Sequence, residues 1–329
     1  MISNIDYNKK ISDITINKPN IDIYISLTTI PPRFLSDEFE LLLINLINQS
    51  IKPTKIFVSL PIKYMRNFLY DRNKVEEKIK YITKKYNLIE FLRPKDYGPA
   101  TKLLGLIELK KLNDDDIIIV LDDDIHYSNN LVMTYMNAFT LYDADICAVD
   151  QTMMIKKWNP YRINLFNEIY YNNYNDKLYG WLSFCIKYSK LNNMMKFYDE
   201  ICIKFPDIIF HDDLIFTIYY KLNNLCAVGT TIPTFKYNMD RSRNDNNNAL
   251  RNNILSNQHI RTHLETIVFE FFKLNNKMNP ESVVKNDIIY VTKNIIIYVA
   301  KSNENNIIIN NKEYTINDIN KFSSYVLKL

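Results

Sequence analysis

One segment, Asp116–His126 (DIIIVLDDDIH), constrains the fold of this 329-residue chain more than any other. Its five apolar residues, Ile117 to Leu121, deliver three consecutive carboxylates, Asp122, Asp123 and Asp124. A short apolar run bounded by polar residues reads as a buried strand, central in a parallel sheet. In open α/β sheets ligands gather beyond the carboxyl ends of the strands, and the triplet sits at that end. Three adjacent carboxylates repel one another unless a cation joins them, and the expected one is a hard divalent ion with oxygen ligands. The chain carries its own control. Asp114, Asp115 and Asp116 precede the same strand, after Lys110 and Lys111 of an expected helix. At that end a triplet reads as a solvated turn.

Strand-like and helix-like segments alternate around this run. Residues 21–28 (IDIYISLT) read as a strand, followed by a Pro31-Pro32 turn and a helix from Asp37 that Ser36 would cap. KIFVSL (55–60) and LIEFL (88–92) are further strands, separated by the helical RNKVEEKIKYITKKY. PATKLLGLIELKKL opens a helix with Pro99 in its first turn. Four strands separated by helices imply βαβ units, a parallel sheet and helices on both faces. Beyond the triplet, ADICAV (144–149), SFCIKYS (183–189) and AVGTTI (227–232) read as strands, HDDLIFTIYYKL (211–222) and NQHIRTHLETIVFEFFKL as helices. Residues 1–20 and the polar stretch 236–253 are expected to be mobile. Residues 286–329 suggest a small β appendage with a hairpin turn at Asn310-Asn311.

Several function classes are disfavoured by composition. A net charge of +4 with no basic stripe interleaved with aromatics gives no footprint for nucleic acid. No run reaches the ~18 apolar residues of a membrane span, and the amino terminus lacks the apolar core of a signal peptide. Cys147, Cys185, Cys202 and Cys226 show no zinc spacing and read as reduced thiols of a cytoplasmic protein.

With only four glycines, their placement is informative. Lys95–Gly105 (KDYGPATKLLG) turns at Gly98-Pro99 and starts a helix with Lys102 in its first turns. That arrangement suits either a phosphate or sugar site, or a plain junction with a solvated lysine. Gly180-Trp181 joins a scarce glycine to one of two tryptophans, after the tyrosine-rich LFNEIYYNNYNDKLY. An aromatic platform there fits a sugar face or ordinary packing. His211-Asp212-Asp213 opens a helix, as a cap or as the seat of a general base. His259 and His263 share a helical face, without the intervening glutamate of a zinc pair.

Together ISLTTIPPR, DYGPATK, IIIVLDDDI, YGW and HDDLIFTIYYKL resemble, over roughly residues 20–235, a GT-A-fold glycosyltransferase that uses nucleotide-diphosphate sugars. The resemblance implies an α/β fold. A Rossmann-like, mostly parallel central sheet with flanking helices would span 21–235, with a loop at 236–253 and a carboxyl-terminal helix and β extension at 254–329. It implies a Mn²⁺ or Mg²⁺ on Asp122 and Asp124, bridging the phosphates of a donor, UDP-sugar first. Thr28, Thr29, Arg33 and Asp123 would lie near the nucleotide, and Asp96 and Lys102 near the nucleotide or the donor sugar. Gly180 and Trp181 would face a glycan or protein acceptor, and Asp213 (or Asp212) would be the base of an inverting transfer. A third metal ligand would come from His263, with His259 and His211 competing. A nucleotidyltransferase and a non-catalytic nucleotide-sugar-binding protein are the competing readings; the sugar, acceptor and oligomeric state stay open.

Overall fold

The computed structural model describes residues 21–141, 144–149, 169–173, 177–180, 182–230, 258–272, 289–291, 296–297, 306–309 and 312–315. The first half is the expected alternation. In order come β1 (Ile23–Thr28), α1 (Pro31–Phe34), α2 (Asp37–Ile47), β2 (Lys55–Ser59), α3 (Arg72–Lys85), β3 (Ile89–Leu92), α4 (Thr101–Leu109) and β4 (Ile117–Val120). There follow α5 (Leu131–Leu141), β5 (Ile146–Val149), β6 (Ile169–Asn173), β7 (Phe184–Lys187), α6 (Met194–Lys204), α7 (Asp212–Leu222), β8 (Ala227–Thr230) and α8 (Gln258–Phe271). The remaining strands are β9 (Ile289–Val291), β10 (Ile296–Ile297), β11 (Asn306–Ile309) and β12 (Lys312–Thr315).

The main sheet runs β10-β9-β6-β8-β5-β7-β4-β1-β2-β3. β1 is parallel to β2 and to β4, and β2 to β3. β7 is antiparallel to both β4 and β5, while β5 and β8 run parallel. The chain therefore steps outward from β1 to β2 and β3, then crosses back to place β4 on the other side of β1. That reversal opens a crevice at the carboxyl ends of β1 and β4, where such sheets bind ligands.

Why β4 reads as an apolar run is now physical. Ile117, Ile119 and Leu121 point into one core with Phe39, Leu43, Val75 and Tyr135 from α2, α3 and α5. Ile118 and Val120 point into the opposite core with Leu103, Leu104, Ile215 and Val268 from α4, α7 and α8. Each buried isoleucine contributes about 1.5–3 kcal/mol, so a charge anywhere in the run would unseat the centre of the sheet.

Several expectations need correction. Asp116 is not a solvated turn residue. It is fully buried and accepts the backbone N–H of Asp22 (3.1 Å) and of Asn113 (2.7 Å), tying the starts of β1 and β4 together. Only Asp114 and Asp115 are exposed. Ser36 sits at the N-cap of α2, but its hydroxyl donates to the Arg33 carbonyl (2.8 Å) instead of capping. Pro99 precedes α4, which stops at Leu109, short of Lys110 and Lys111. Residues 183–189 are half strand: Tyr188–Leu191 turn into a 3₁₀ helix. The tyrosine-rich 169–173 is a strand, and β9 and β10 extend the main sheet through β6 instead of standing apart. The register of β11 with β12, Ile309 opposite Lys312, leaves the two-residue connection expected at 310–311. All four cysteines are free. Among the described residues no helix is long and apolar enough to cross a membrane. The stretches 1–20 and 236–253 lie outside the described residues.

Candidate active site

The crevice between β1 and β4 gathers side chains from four separate segments. At its floor, Asp123 is 5% exposed and accepts from Thr29 Oγ1 (2.6 Å), just past β1, and from Arg33 Nη1 (2.6 Å) in α1. The same Arg33 nitrogen lies 3.4 Å from Asp124 Oδ2. Asp122 turns the other way and pairs with the ammonium of Lys102, which also lies 2.7 Å from Asp212 Oδ2 at the head of α7. Lys102 is 3% exposed. Burial alone would push its ammonium down, but Asp122, then Asp212 and Asp213, outweigh that and hold it above the ordinary lysine range.

The acidic trio is thus joined by this chain's own cations, Arg33 on one flank and Lys102 on the other. The expected joining cation is a hard divalent ion; two side-chain cations already take part of that role. The reason lies in tertiary proximity: α4 enters beside β1, where Ser26 Oγ donates to the Lys102 carbonyl (2.5 Å) and draws its first turn against the strand. Tyr127 braces the tip of β4, its hydroxyl accepting from Asp122 N (2.9 Å) and donating to Asp122 O (3.3 Å). Burial, reinforced by the Asp122 charge, pushes that phenol well above its ordinary range, so it stays a neutral donor.

Gly180 closes the site from the β7 side. Its N–H donates to Asp213 Oδ1 (2.8 Å), and a Cβ at this position would collide with Lys102 Nζ and lie 3.1 Å from Asp122 Oδ1. Only glycine lets the backbone pass so close. The turn continues into Ser183, held at φ 79° with its hydroxyl 2.6 Å from Tyr135 OH. A non-glycine residue in that region costs on the order of 1–3 kcal/mol, and such strain gathers at sites the surrounding fold over-determines. Asp213 is fixed further by its carbonyl, which accepts from Thr217 Oγ1 (2.6 Å), and that hydroxyl in turn accepts from Leu178 N (2.9 Å).

The remaining sequence candidates bond within their own surroundings or lie outside the described residues. Thr28 Oγ1 donates to the Ser59 carbonyl (2.9 Å), facing β2. Asp96 organises its own loop, accepting from Met65 N (2.7 Å) and Gly98 N (2.9 Å), where Gly98 takes φ 62°. His211 is buried at the N-cap of α7 without a side-chain capping bond. Trp181 and the side chains of His259 and His263 lie outside the described residues. Two aromatic contributors had no signal in the sequence: Tyr127, and Tyr64, whose hydroxyl donates to the Thr29 carbonyl (3.3 Å) at the crevice edge.

Five carboxylates, Asp122, Asp123, Asp124, Asp212 and Asp213, share two cations, so the site carries a formal excess of negative charge. Asp212 Oδ2 is a buried oxygen without a directed hydrogen bond, although an ammonium lies beside it. These oxygens suit a hard cation. Among the described residues no three His, Cys, Asp or Glu side chains are assembled to hold one. A magnesium-class ion does not need such a cage, since one or two carboxylates plus its ligand's phosphates serve. The residues fit the ion.

No protein-family model and no curated protein matches the chain. Among solved structures it is similar to a mannosyltransferase from Pyrobaculum calidifontis in complex with GDP-Man and Mn²⁺. That match has 14% identity and a TM-score of 0.35, and covers 54% of this chain and 50% of that one. It is also similar to residues 1–349 of S. aureus TarS in complex with UDP-GlcNAc, at 13% identity and a TM-score of 0.29, covering 40% and 34% respectively. The chain thus spans half or less of the length of these structures. Likenesses this slight carry nothing about chemistry, which rests on the geometry above.

Proposed function

We propose that the chain is a glycosyltransferase moving a sugar from a nucleotide-diphosphate donor to an acceptor hydroxyl with inversion. One observation carries the reading. In the crevice at the β1/β4 reversal, the carboxylates of one strand tip meet those of one helix head: Asp123 and Asp124 face Arg33, Asp122 and Asp212 share Lys102, and Asp213 accepts from Gly180 N. A transferase of this kind needs one acidic group to manage a departing diphosphate and another to take a proton, at opposite ends of one cleft.

The chain's own residues divide the work. Asp122 and Asp124 would hold a Mn²⁺ or Mg²⁺, which when bound supplies Lewis-acid stabilisation to the leaving diphosphate. Thr29 and Arg33 fix Asp123 beneath them, so the trio keeps its orientation. The acceptor oxygen attacks the anomeric carbon as the bond from that carbon to the phosphate oxygen breaks, its electrons leaving with the nucleotide diphosphate. Asp213 takes the hydroxyl proton. It suits that part better than Asp212, whose Oδ2 is already engaged by the Lys102 ammonium at 2.7 Å. The Gly180 N–H fixes Asp213 Oδ1 for the task. UDP-sugars are the first donors to try, and a glycan or protein hydroxyl the acceptor.

The reading is tested with a panel of UDP- and GDP-sugars, with and without Mn²⁺, following release of nucleotide diphosphate. Metal-dependent release from one donor is expected. Asp213→Asn should lower turnover by about 10²–10⁴-fold with nucleotide affinity unchanged. Release of pyrophosphate or nucleoside monophosphate instead would point to nucleotidyl transfer. No binding and no turnover of any donor would end the proposal, and loss of nucleotide affinity in Asp213→Asn would reduce that residue to a helix cap.

A further inference from the structure

We infer that Lys102 is a positioning residue, a buried strut that sets the distance between the donor end of the cleft and its base, and that it touches no substrate. The inference rests on the transferase reading, and it replaces the sequence expectation that places this lysine near the nucleotide or donor sugar.

The geometry is specific. Lys102 reaches across from the first turn of α4 and joins Asp122, at the tip of β4, to Asp212, at the head of α7. Those two elements come from different βα units and are not hydrogen-bonded neighbours in the sheet. The ammonium is an ionic link between them, with a carboxylate on each side, above the apolar core that Ile118 and Val120 share with Ile215. The chain at Gly180 lies over it so closely that a Cβ there would collide with Nζ. At 3% exposure, flanked by two carboxylates and covered by a backbone, the ammonium presents no face to a phosphate. The covering residue itself donates its N–H to Asp213 (2.8 Å). Lys102 therefore bears on the base in two ways, through Asp212 beside it in sequence and through Gly180 above it in space.

A strut and a ligand predict different kinetics. A ligand's loss weakens donor binding. A strut's loss leaves binding intact and misplaces the base, and misplacement of about 1 Å can cost about 100-fold in rate. Lys102→Met should therefore lower kcat by about 100-fold while donor KM and the nucleotide dissociation constant change by less than about threefold. Lys102→Arg should not restore kcat, because the planar fork is larger than the space under Gly180. Gly180→Ala, which presses on the same ammonium, should reproduce the kcat loss with donor KM held.

Methionine at 102 would leave two carboxylates facing each other. Lys102→Met/Asp212→Asn removes one of those charges, and its kcat should match that of Lys102→Met alone, since coupled residues fail to add. A donor KM or nucleotide dissociation constant raised more than about tenfold with kcat retained would make Lys102 a ligand and overturn the inference. Full activity of Lys102→Arg, or additive losses in the double variant, would overturn it as well. If the unaltered protein turns over no donor, the transferase reading fails on its own terms. The strut is then read from melting temperatures: the losses for Lys102→Met and Asp212→Asn should be non-additive, and additive losses would refute it.

Discussion

Replacing Arg33 with methionine isolates the claim that the tip of β4 must be joined by a cation. Methionine keeps much of the apolar stem and removes the guanidinium. Asp123 then loses its 2.6 Å bond from Arg33 Nη1 and keeps the one from Thr29 Oγ1, while Asp124 loses its 3.4 Å contact. A hydrogen bond to a charged group contributes about 1.5–3 kcal/mol, and breaking a buried pair costs about 3–5 kcal/mol. The Arg33 side chain is 19% exposed against 7% for Asp123, so water can partly replace what is lost. The lower end applies, and the expected destabilisation is about 2–3 kcal/mol. Urea unfolding in EDTA, followed by far-ultraviolet dichroism, reads this as a lower midpoint at constant slope.

Repeating the titration with Mn²⁺ sharpens the test. A cation that binds the folded form alone stabilises it by about 2.7 kcal/mol at a hundred times its dissociation constant. With the guanidinium gone the ion has less competition for Asp124, so Mn²⁺ should stabilise Arg33→Met more than the unaltered protein. If the variant matches the parent in EDTA, Arg33 is not the counterion. If Mn²⁺ changes neither midpoint, the tip of β4 is no cation site.

Three further outcomes are expected. Asp116→Ala leaves the N–H groups of Asp22 and Asn113 without their acceptor and should cost about 2–4 kcal/mol by urea unfolding with the fold of β1 and β4 otherwise kept; a loss below about 1 kcal/mol would refute its structural role. Gly105→Ala should destabilise by about 1–3 kcal/mol even though alanine is favoured in a helix interior by about 1 kcal/mol, because the added Cβ meets Ser59 Oγ at 2.6 Å and Pro94 Cγ at 2.7 Å; a raised melting temperature would show that α4 can shift. Glu40, held below its ordinary 4.5 first by its hydrogen bond from Lys85 and also by Tyr86, contributes stability that is present above that value and lost as pH falls through the lowered one. Glu40→Gln should therefore flatten the acid limb of a melting-temperature profile, and an unchanged limb would remove the pair from the account.

How far the sequence reaches is clearest at β4. Its four residues and the following Leu121 are buried on both faces, the environment that calls for an uninterrupted apolar run. The acidic residues after it could be placed at a ligand-binding edge from strand polarity alone. Their partners could not be read. Arg33 and Lys102 were legible as candidates, but whether each meets a phosphate or a carboxylate depends on how α1 and α4 pack, which no local pattern encodes. The same gap explains Asp116. Its triplet looks like its neighbour's, and only the arrival of Asp22 beside it makes one aspartate a buried acceptor. The helix α5 went unread because both its faces are largely buried, so it carries no amphipathic stripe. In α6 the buried Met194, Tyr198 and Ile201 stand at helical spacing, a signal present in the sequence itself. β6 lies in the tyrosine-rich stretch before the expected platform at Gly180-Trp181, and tyrosines there suit a strand and a sugar face equally well.

The most direct test of the central claim is calorimetric titration of a nucleoside diphosphate into the protein with and without Mn²⁺, repeated on Asp122→Asn/Asp124→Asn. The account predicts binding that requires the ion in the unaltered protein and disappears in the double variant while its melting temperature stays within a few degrees. Equal binding by both proteins, or binding indifferent to Mn²⁺, would contradict it.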